Sequence, residues 1–162
     1  MDNQGYFSMS LSFVNYLEGC KTKFKNFHWS APSLTYHKII DKLLDELIEF
    51  QDVVAETSQG YCGQQYGVGD IKGDKLDFED ALQALVALNN RVDIFYTQIK
   101  SDDTLMGVQN AVNDFQQLLL KFKYLFRLAQ RDGSNTFVQS TQETNGRPTP
   151  FIGLMNISLD DD

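Results

Sequence analysis

Residues 33–59 read SLTYHKIIDKLLDELIEFQDVVAETSQ, and this stretch decides the fold. Its apolar side chains recur at three- and four-residue steps, which is the spacing of one face of an α-helix. Ser33 follows Pro32 and is a suitable N-cap, because its hydroxyl can accept a hydrogen bond from the first turn. The stretch therefore predicts an amphipathic helix of about seven turns.

Three further segments show the same periodicity, and no proline interrupts residues 33–147. Asp102 or Asp103 is expected to cap the last of them, and Asp132-Gly133 is expected to end it. The four predicted helices, each a rod of ~37 Å, span residues 6–29, 33–59, 76–100 and 103–131.

The predicted connections differ in length. The first and last pairs of helices are joined by short loops, which implies antiparallel neighbours. The middle pair is joined by a glycine-rich stretch that includes Gly60 and Gly73, interpreted as a flexible connection long enough to cross along the bundle. The pattern predicts an all-α fold: a ferritin-like four-helix bundle over residues 1–131, followed by a polar C-terminal tail over residues 132–162.

The predicted tail ends in the sequence PTPFIGLMNISLDDD, residues 148–162. In one interpretation it is extended or partly disordered, and its apolar side chains pack on this subunit or on a neighbour. In the other it is a docking peptide for another protein. The sequence leaves both open, and the apolar residues concerned are Phe151, Ile152, Leu154 and Met155.

Charge and composition restrict the partners. With 14 basic and 22 acidic residues the net charge is -8, which argues against binding the phosphates of nucleic acid. We identify one basic cluster, Lys21, Lys23 and Lys25, and its spacing by two does not form a single helical stripe. No apolar run is long enough to span a membrane, no secretory signal is evident, and the two cysteines suit a reducing compartment. We therefore expect a cytoplasmic protein.

Candidate metal ligands cluster on the second helix and beside it. His28 and His37 flank the junction of the first two helices. On the second helix His37, Asp41, Asp52 and Glu56 fall within an arc of about 100°. Imidazole and carboxylate together suit non-haem iron. An acidic stripe is ordinarily a solvated face, but apolar positions flank this one, so a metal site is predicted.

The spacing sets the architecture of such a site. Asp41 and Asp52 are separated by ~16 Å along the helix axis. Neither one ion nor a pair of ions ~3.5–4 Å apart bridges that distance. Two copies must therefore pack their second helices antiparallel about a two-fold axis, so that His28, His37 and Asp41 of one copy meet Asp52 and Glu56 of the other. Symmetry then makes two sites.

These residues resemble a known signature. The run Lys25-Asn26-Phe27-His28-Trp29, followed by His37-x3-Asp41 and Asp52-x3-Glu56, resembles the ferroxidase signature of the Dps family of mini-ferritins. The stretches 102–105 and 121–126 are also similar to that family. The similarity covers roughly residues 8–130.

The resemblance implies an inter-subunit di-iron centre in which Zn or Mn can replace Fe. It implies that His28, Asp52 and Glu56 bind the tighter iron and act in catalysis, and that His37 and Asp41 hold the weaker iron, partly through water. Trp29 is implied to lie beside the centre and to intercept oxidising equivalents.

Members of the family form hollow homo-dodecamers, oxidise Fe(II) with hydrogen peroxide in preference to dioxygen, and store ferric mineral. The expected function is therefore an iron-storing ferroxidase that protects against oxidative damage. The alternative is a structural or interaction module with a vestigial metal site, whose C-terminal tail docks a partner.

The sequence departs from the family at three places. The spacing from His28 to His37 is shorter than usual. The connection between the second and third helices looks too short and too rich in glycine for the small extra helix typical there. The N-terminus lacks the lysine-rich arm of the members that condense DNA.

Overall fold

The computed structural model describes residues 2–140, with the side chains of residues 2–131. The only regular elements within residues 2–140 are helices, without a strand, which confirms the predicted all-α four-helix bundle. No helix within residues 2–140 combines the length and apolar character needed to cross a bilayer. The elements are α1 (Asn3–Trp29), α2 (Leu34–Cys62), α3 (Ala81–Ile99), a 3₁₀ turn (Asp103–Leu105) and α4 (Met106–Ser140).

The last helix is longer than predicted. It continues through Asp132 and Gly133 to Ser140, so the prediction that Asp132-Gly133 ends this helix is wrong. A glycine inside a helix costs only about 1 kcal/mol relative to alanine, and no proline occurs between Gly133 and Pro148. The apolar residues of the tail, on which its two interpretations depend, lie outside the described residues.

The caps of two helical elements follow from single side chains. The Ser33 hydroxyl accepts a hydrogen bond from the backbone N–H of Tyr36 at 3.2 Å, which confirms the predicted N-cap of α2. Of the two candidates before α4, Asp102 is the cap, and it accepts from the N–H of Thr104 at the start of the 3₁₀ turn. The 3₁₀ turn then leads directly into α4.

The centre of the bundle is filled by four phenylalanines, one from each helix. Phe13 of α1 stacks on Phe95 of α3 with ring centroids 4.1 Å apart. Phe50 of α2 stacks on Phe115 of α4 at 4.0 Å, and Phe13 meets Phe50 edge-on at 6.1 Å. All four rings are buried. These rings make the interior at their level apolar.

The connection from α2 to α3, residues 63–80, contains no helix and is held along α1. The Asn15 amide donates to the carbonyl of Asp70 at 3.0 Å, and its oxygen accepts from the N–H groups of Lys72 and Gly73. The N–H of Asp74 donates to the carbonyl of Asn15. The stretch interpreted as a flexible connection is thus held to α1, because one side chain of α1 satisfies its backbone at successive positions.

This crossover determines the direction of α3. It leaves the C-terminal end of α2 and returns along α1, where a Cβ on Gly19 would clash with the carbonyl of Asp74. Gly19 therefore permits the close approach. At the far end, the start of α3 at Ala81 lies near Tyr36 of α2, so α2 and α3 run parallel. This is the crossover connection expected from the sequence.

Candidate metal centre

The short loop of residues 30–33 brings the two histidines together. α1 ends at Trp29 and α2 begins at Leu34, so the helices run antiparallel and His28 faces His37. The ring centroids are 3.8 Å apart, with an angle of 31° between the ring planes. The shorter spacing between the histidines therefore does not prevent them from converging.

His28 is held in an unusual polar environment. Its side chain is 11% exposed, and neither ring nitrogen has a partner in hydrogen-bonding geometry. Oδ1 of Asp41 lies 3.2 Å from Nε2, which is ion-pair distance but not the direction of a hydrogen bond. A buried polar group without a partner typically costs about 1–3 kcal/mol. The unpaired imidazole beside a carboxylate therefore suits a cation as an additional partner.

His37 is oriented by the backbone of α1. Its Nδ1 lies 3.2 Å from the carbonyl oxygen of His28. When Nδ1 carries the proton it donates to this carbonyl, and Nε2 keeps a free lone pair. Metal-binding histidines are commonly oriented in this way, with one nitrogen fixed by a carbonyl and the other left for the ion.

The remaining candidates lie further along α2. Asp41, Asp52 and Glu56 are all exposed, and Asp52 and Glu56 are one turn apart. The single chain thus places His28 beside His37 and beside Asp41, whereas Asp52 and Glu56 stay about 16 Å or more away from Asp41 along the helix. Within the part of the chain that the structure describes, no group of three such side chains is arranged to hold one ion.

A groove of about 470 Å³ between α1 and α2 adjoins Asp41. Trp29 lines this groove with 72% of its surface exposed, and Ile48 lines it with 43% exposed. The ammonium group of Lys25 lies 5.8 Å from the centroid of the Trp29 ring. The tryptophan that the resemblance implies at the centre therefore lies on the same surface as Asp41.

A polar network that was not predicted from the sequence lies beside the groove. Buried Gln51 accepts from the Lys21 ammonium at 2.8 Å and donates to Glu18 and to the carbonyl of Val14, both at 3.1 Å. Burial opposes ionisation of Glu18, but the hydrogen bonds from Lys21 and Gln51 outweigh it and lower the pKa of that carboxyl. A glutamine among the apolar positions of α2 was the available signal.

The comparisons with known proteins concern the central part of the chain. Residues 28–126 match the model of a family described as "Family of unknown function (DUF5856)". The matched segment begins at His28 and includes the other four candidate ligands. No curated protein and no solved structure gives a significant match.

Proposed function

The chain belongs to the family of unknown function DUF5856, and we propose that it is a mini-ferritin that oxidises Fe(II) at a site shared by two subunits. One observation carries the proposal: at the α1–α2 corner His28 lies against both His37 and Asp41, and both nitrogens of its buried ring lack a hydrogen-bond partner. The resemblance of these residues to the Dps signature supports the same assignment.

The positions of the other ligands favour a site at a two-fold axis. Asp52 and Glu56 are exposed and too distant from Asp41 to share an ion within one chain. Antiparallel pairing of α2 with its symmetry mate would set these two carboxylates of one copy against the histidines of the other, twice in each dimer. Exposed Trp29 and Ile48 would supply apolar area beside the paired helices.

The proposed reaction takes Fe(II) as substrate. Two Fe(II) ions each give one electron to hydrogen peroxide, whose O–O bond breaks, and two protons complete two molecules of water. His28 holds one Fe(II) with Asp52 and Glu56 of the partner subunit, and His37 and Asp41 hold the other. Zn(II) or Mn(II) would compete for the same nitrogen and oxygen donors.

Storage of the product requires a larger assembly than the dimer. A closed shell, proposed here as a homo-dodecamer, would supply the cavity in which the ferric product collects. A reducing compartment such as the cytoplasm would supply Fe(II), and the oxidant would be peroxide or, less effectively, dioxygen. Nucleic acid is not among the proposed partners, because the net charge is -8.

The proposal is tested by loading the protein with Fe(II) under anaerobic conditions, adding peroxide, and following absorbance in the near ultraviolet. Asp52→Ala and Glu56→Ala should each slow the oxidation at least about ten-fold, since each removes a charged ligand. Glu49→Ala is the matched control, because Glu49 is an exposed carboxylate of the same helix outside the ligand set. Wild-type rates in both ligand variants would refute the assignment.

A second measurement addresses the alternative of a structural module. Light scattering should give a mass of at least a dimer, and the purified protein should take up Fe(II). A monomer that takes up no iron would instead favour a ferritin-like bundle kept for interactions, with a vestigial site.

A further inference from the structure

The second half of α4 presents an outward surface that is both basic and apolar. No aspartate or glutamate occurs in residues 115–131, although the chain as a whole carries a net charge of -8. The surface, called here the basic face, consists of the exposed apolar residues Leu120, Tyr124 and Leu128 with Lys121, Lys123, Arg127 and Arg131 around them.

The apolar part of the basic face is continuous. Leu120, Tyr124 and Leu128 follow one another at four-residue steps, so they form one stripe along the helix. Their exposed fractions are 59%, 63% and 39%. A stripe of large apolar side chains flanked by cations suits a partner that is itself apolar and acidic.

The C-terminal segment of the chain has this composition. Residues 151–162 read FIGLMNISLDDD, in which apolar residues precede three consecutive aspartates. The three aspartates give the segment a negative charge, and it contains no basic residue. We propose that residues 151–162 bind along the basic face of α4 in the same chain.

The chain is long enough for this arrangement. From Ser140 back to Leu120 the helix measures ~30 Å, and residues 141–150 span up to ~33 Å when extended. Phe151 can therefore reach any level of the basic face. In the proposed arrangement the chain turns back after Ser140, and residues 151–162 run antiparallel to α4. Asp160 and its neighbours then lie near Lys121, and the apolar residues of the segment lie along the stripe.

Nucleic acid fits the same surface less well. Its phosphates would find cations at Lys121, Lys123 and Arg127, but they would leave the stripe of Leu120 and Tyr124 without an apolar partner. The acidic remainder of the chain would also repel them. The C-terminal segment complements both the positive charge of the basic face and its apolar stripe.

The test uses the full chain and measures the rate at which chymotrypsin cleaves after Phe151 and Leu154, followed by mass spectrometry. Binding to the basic face should protect these bonds. The double variant Lys121→Glu/Arg127→Glu should therefore be cleaved at least about ten-fold faster than wild type. The control Lys72→Glu/Lys75→Glu makes the same change of charge at two exposed lysines of the crossover and should be cleaved at the wild-type rate.

A charge swap separates binding from an effect on folding. Adding Asp160→Lys/Asp161→Lys to the Lys121→Glu/Arg127→Glu variant should restore slow cleavage, because opposite charges face each other again. Equal cleavage rates in wild type and the Lys121→Glu/Arg127→Glu variant would overturn the proposal. Protection that grows with protein concentration would also overturn it, since the segment would then come from a second copy. A basic face that binds DNA while the segment stays unprotected would do the same.

Discussion

Oδ1 of Asp41 lies 3.2 Å from Nε2 of His28, and this contact joins the end of α1 to the second turn of α2. It places a carboxylate against an imidazole whose two nitrogens are otherwise without partners. In the proposed iron site this pair would supply only part of the ligands, because an ion bound there needs further oxygen or nitrogen donors. The predictions on iron below depend on where those donors come from.

If the site is shared, two inactive variants should complement each other. A His28→Ala/His37→Ala chain keeps Asp52 and Glu56, whereas an Asp52→Ala/Glu56→Ala chain keeps both histidines. Random mixing after dissociation makes half of the dimers mixed, and one of the two sites in each mixed dimer is intact. The mixture should therefore recover about a quarter of the wild-type rate of Fe(II) oxidation.

The control for complementation is a mixture of two chains altered in the same half, His28→Ala with His37→Ala, which should recover nothing beyond the rate of each variant alone. Absence of recovery in the first mixture, under conditions where mass spectrometry shows mixed dimers, would count against a shared site.

Removing the unpaired imidazole should stabilise the metal-free protein. His28→Leu replaces a buried ring that lacks hydrogen bonds with an apolar side chain of similar size. We expect the free energy of unfolding of the metal-free protein to rise by about 1–2 kcal/mol while Fe(II) binding is lost. Chemical denaturation and Fe(II) titration measure the two effects. A destabilised variant that still binds Fe(II) would show that His28 has a packing role.

The close approach of the crossover to α1 predicts a strong effect of a single methyl group. Gly19→Ala places a Cβ against the backbone of Asp74, so the crossover must shift, and the free energy of unfolding should fall by about 1–3 kcal/mol. Gly107→Ala in α4 is the matched control, because nothing lies within 4 Å of the added Cβ. The control should be as stable as wild type or up to about 1 kcal/mol more stable. Thermal unfolding of the two variants decides the point.

The network around Gln51 predicts a pH dependence of stability. Since the folded-state pKa of Glu18 is lowered, its contribution is present above the unfolded-state pKa and is lost as the pH falls through the folded-state pKa. Gln51→Leu removes one of the hydrogen bonds that lower this pKa. The variant should therefore lose less stability than wild type in the acid range. Denaturation at pH 6 and pH 3 tests this, and equal losses would contradict it.

Local sequence signals were sufficient for much of the fold. Ser33 capped α2 as predicted, and the spacing of Asp41 and Asp52 alone separated the candidate ligands into two groups. The end of α4 was predicted wrongly, because Asp132-Gly133 is only a weak stop without a proline beside it. The helix continues because a glycine in its interior costs only about 1 kcal/mol relative to alanine.

Contacts between residues distant in sequence could not be predicted from local sequence signals. Asn15 holds the crossover through groups more than fifty residues away, and nothing around Asn15 in the sequence indicates this. The basic face of α4 was missed for a different reason. Its cations are interleaved with apolar residues, so they resemble the flanks of an ordinary amphipathic helix until exposure shows that Leu120 and Tyr124 point outward.

The phenylalanine-filled axis has a consequence for when the protein would act. Since the proposed site lies at the α1–α2 corner and not along the phenylalanine-filled axis, a subunit could fold without a partner and would then carry only half of a ferroxidase. Newly synthesised chains would then stay redox-inert until their concentration is high enough for pairing, so that the oxidation of iron begins only once a container for its product is being built.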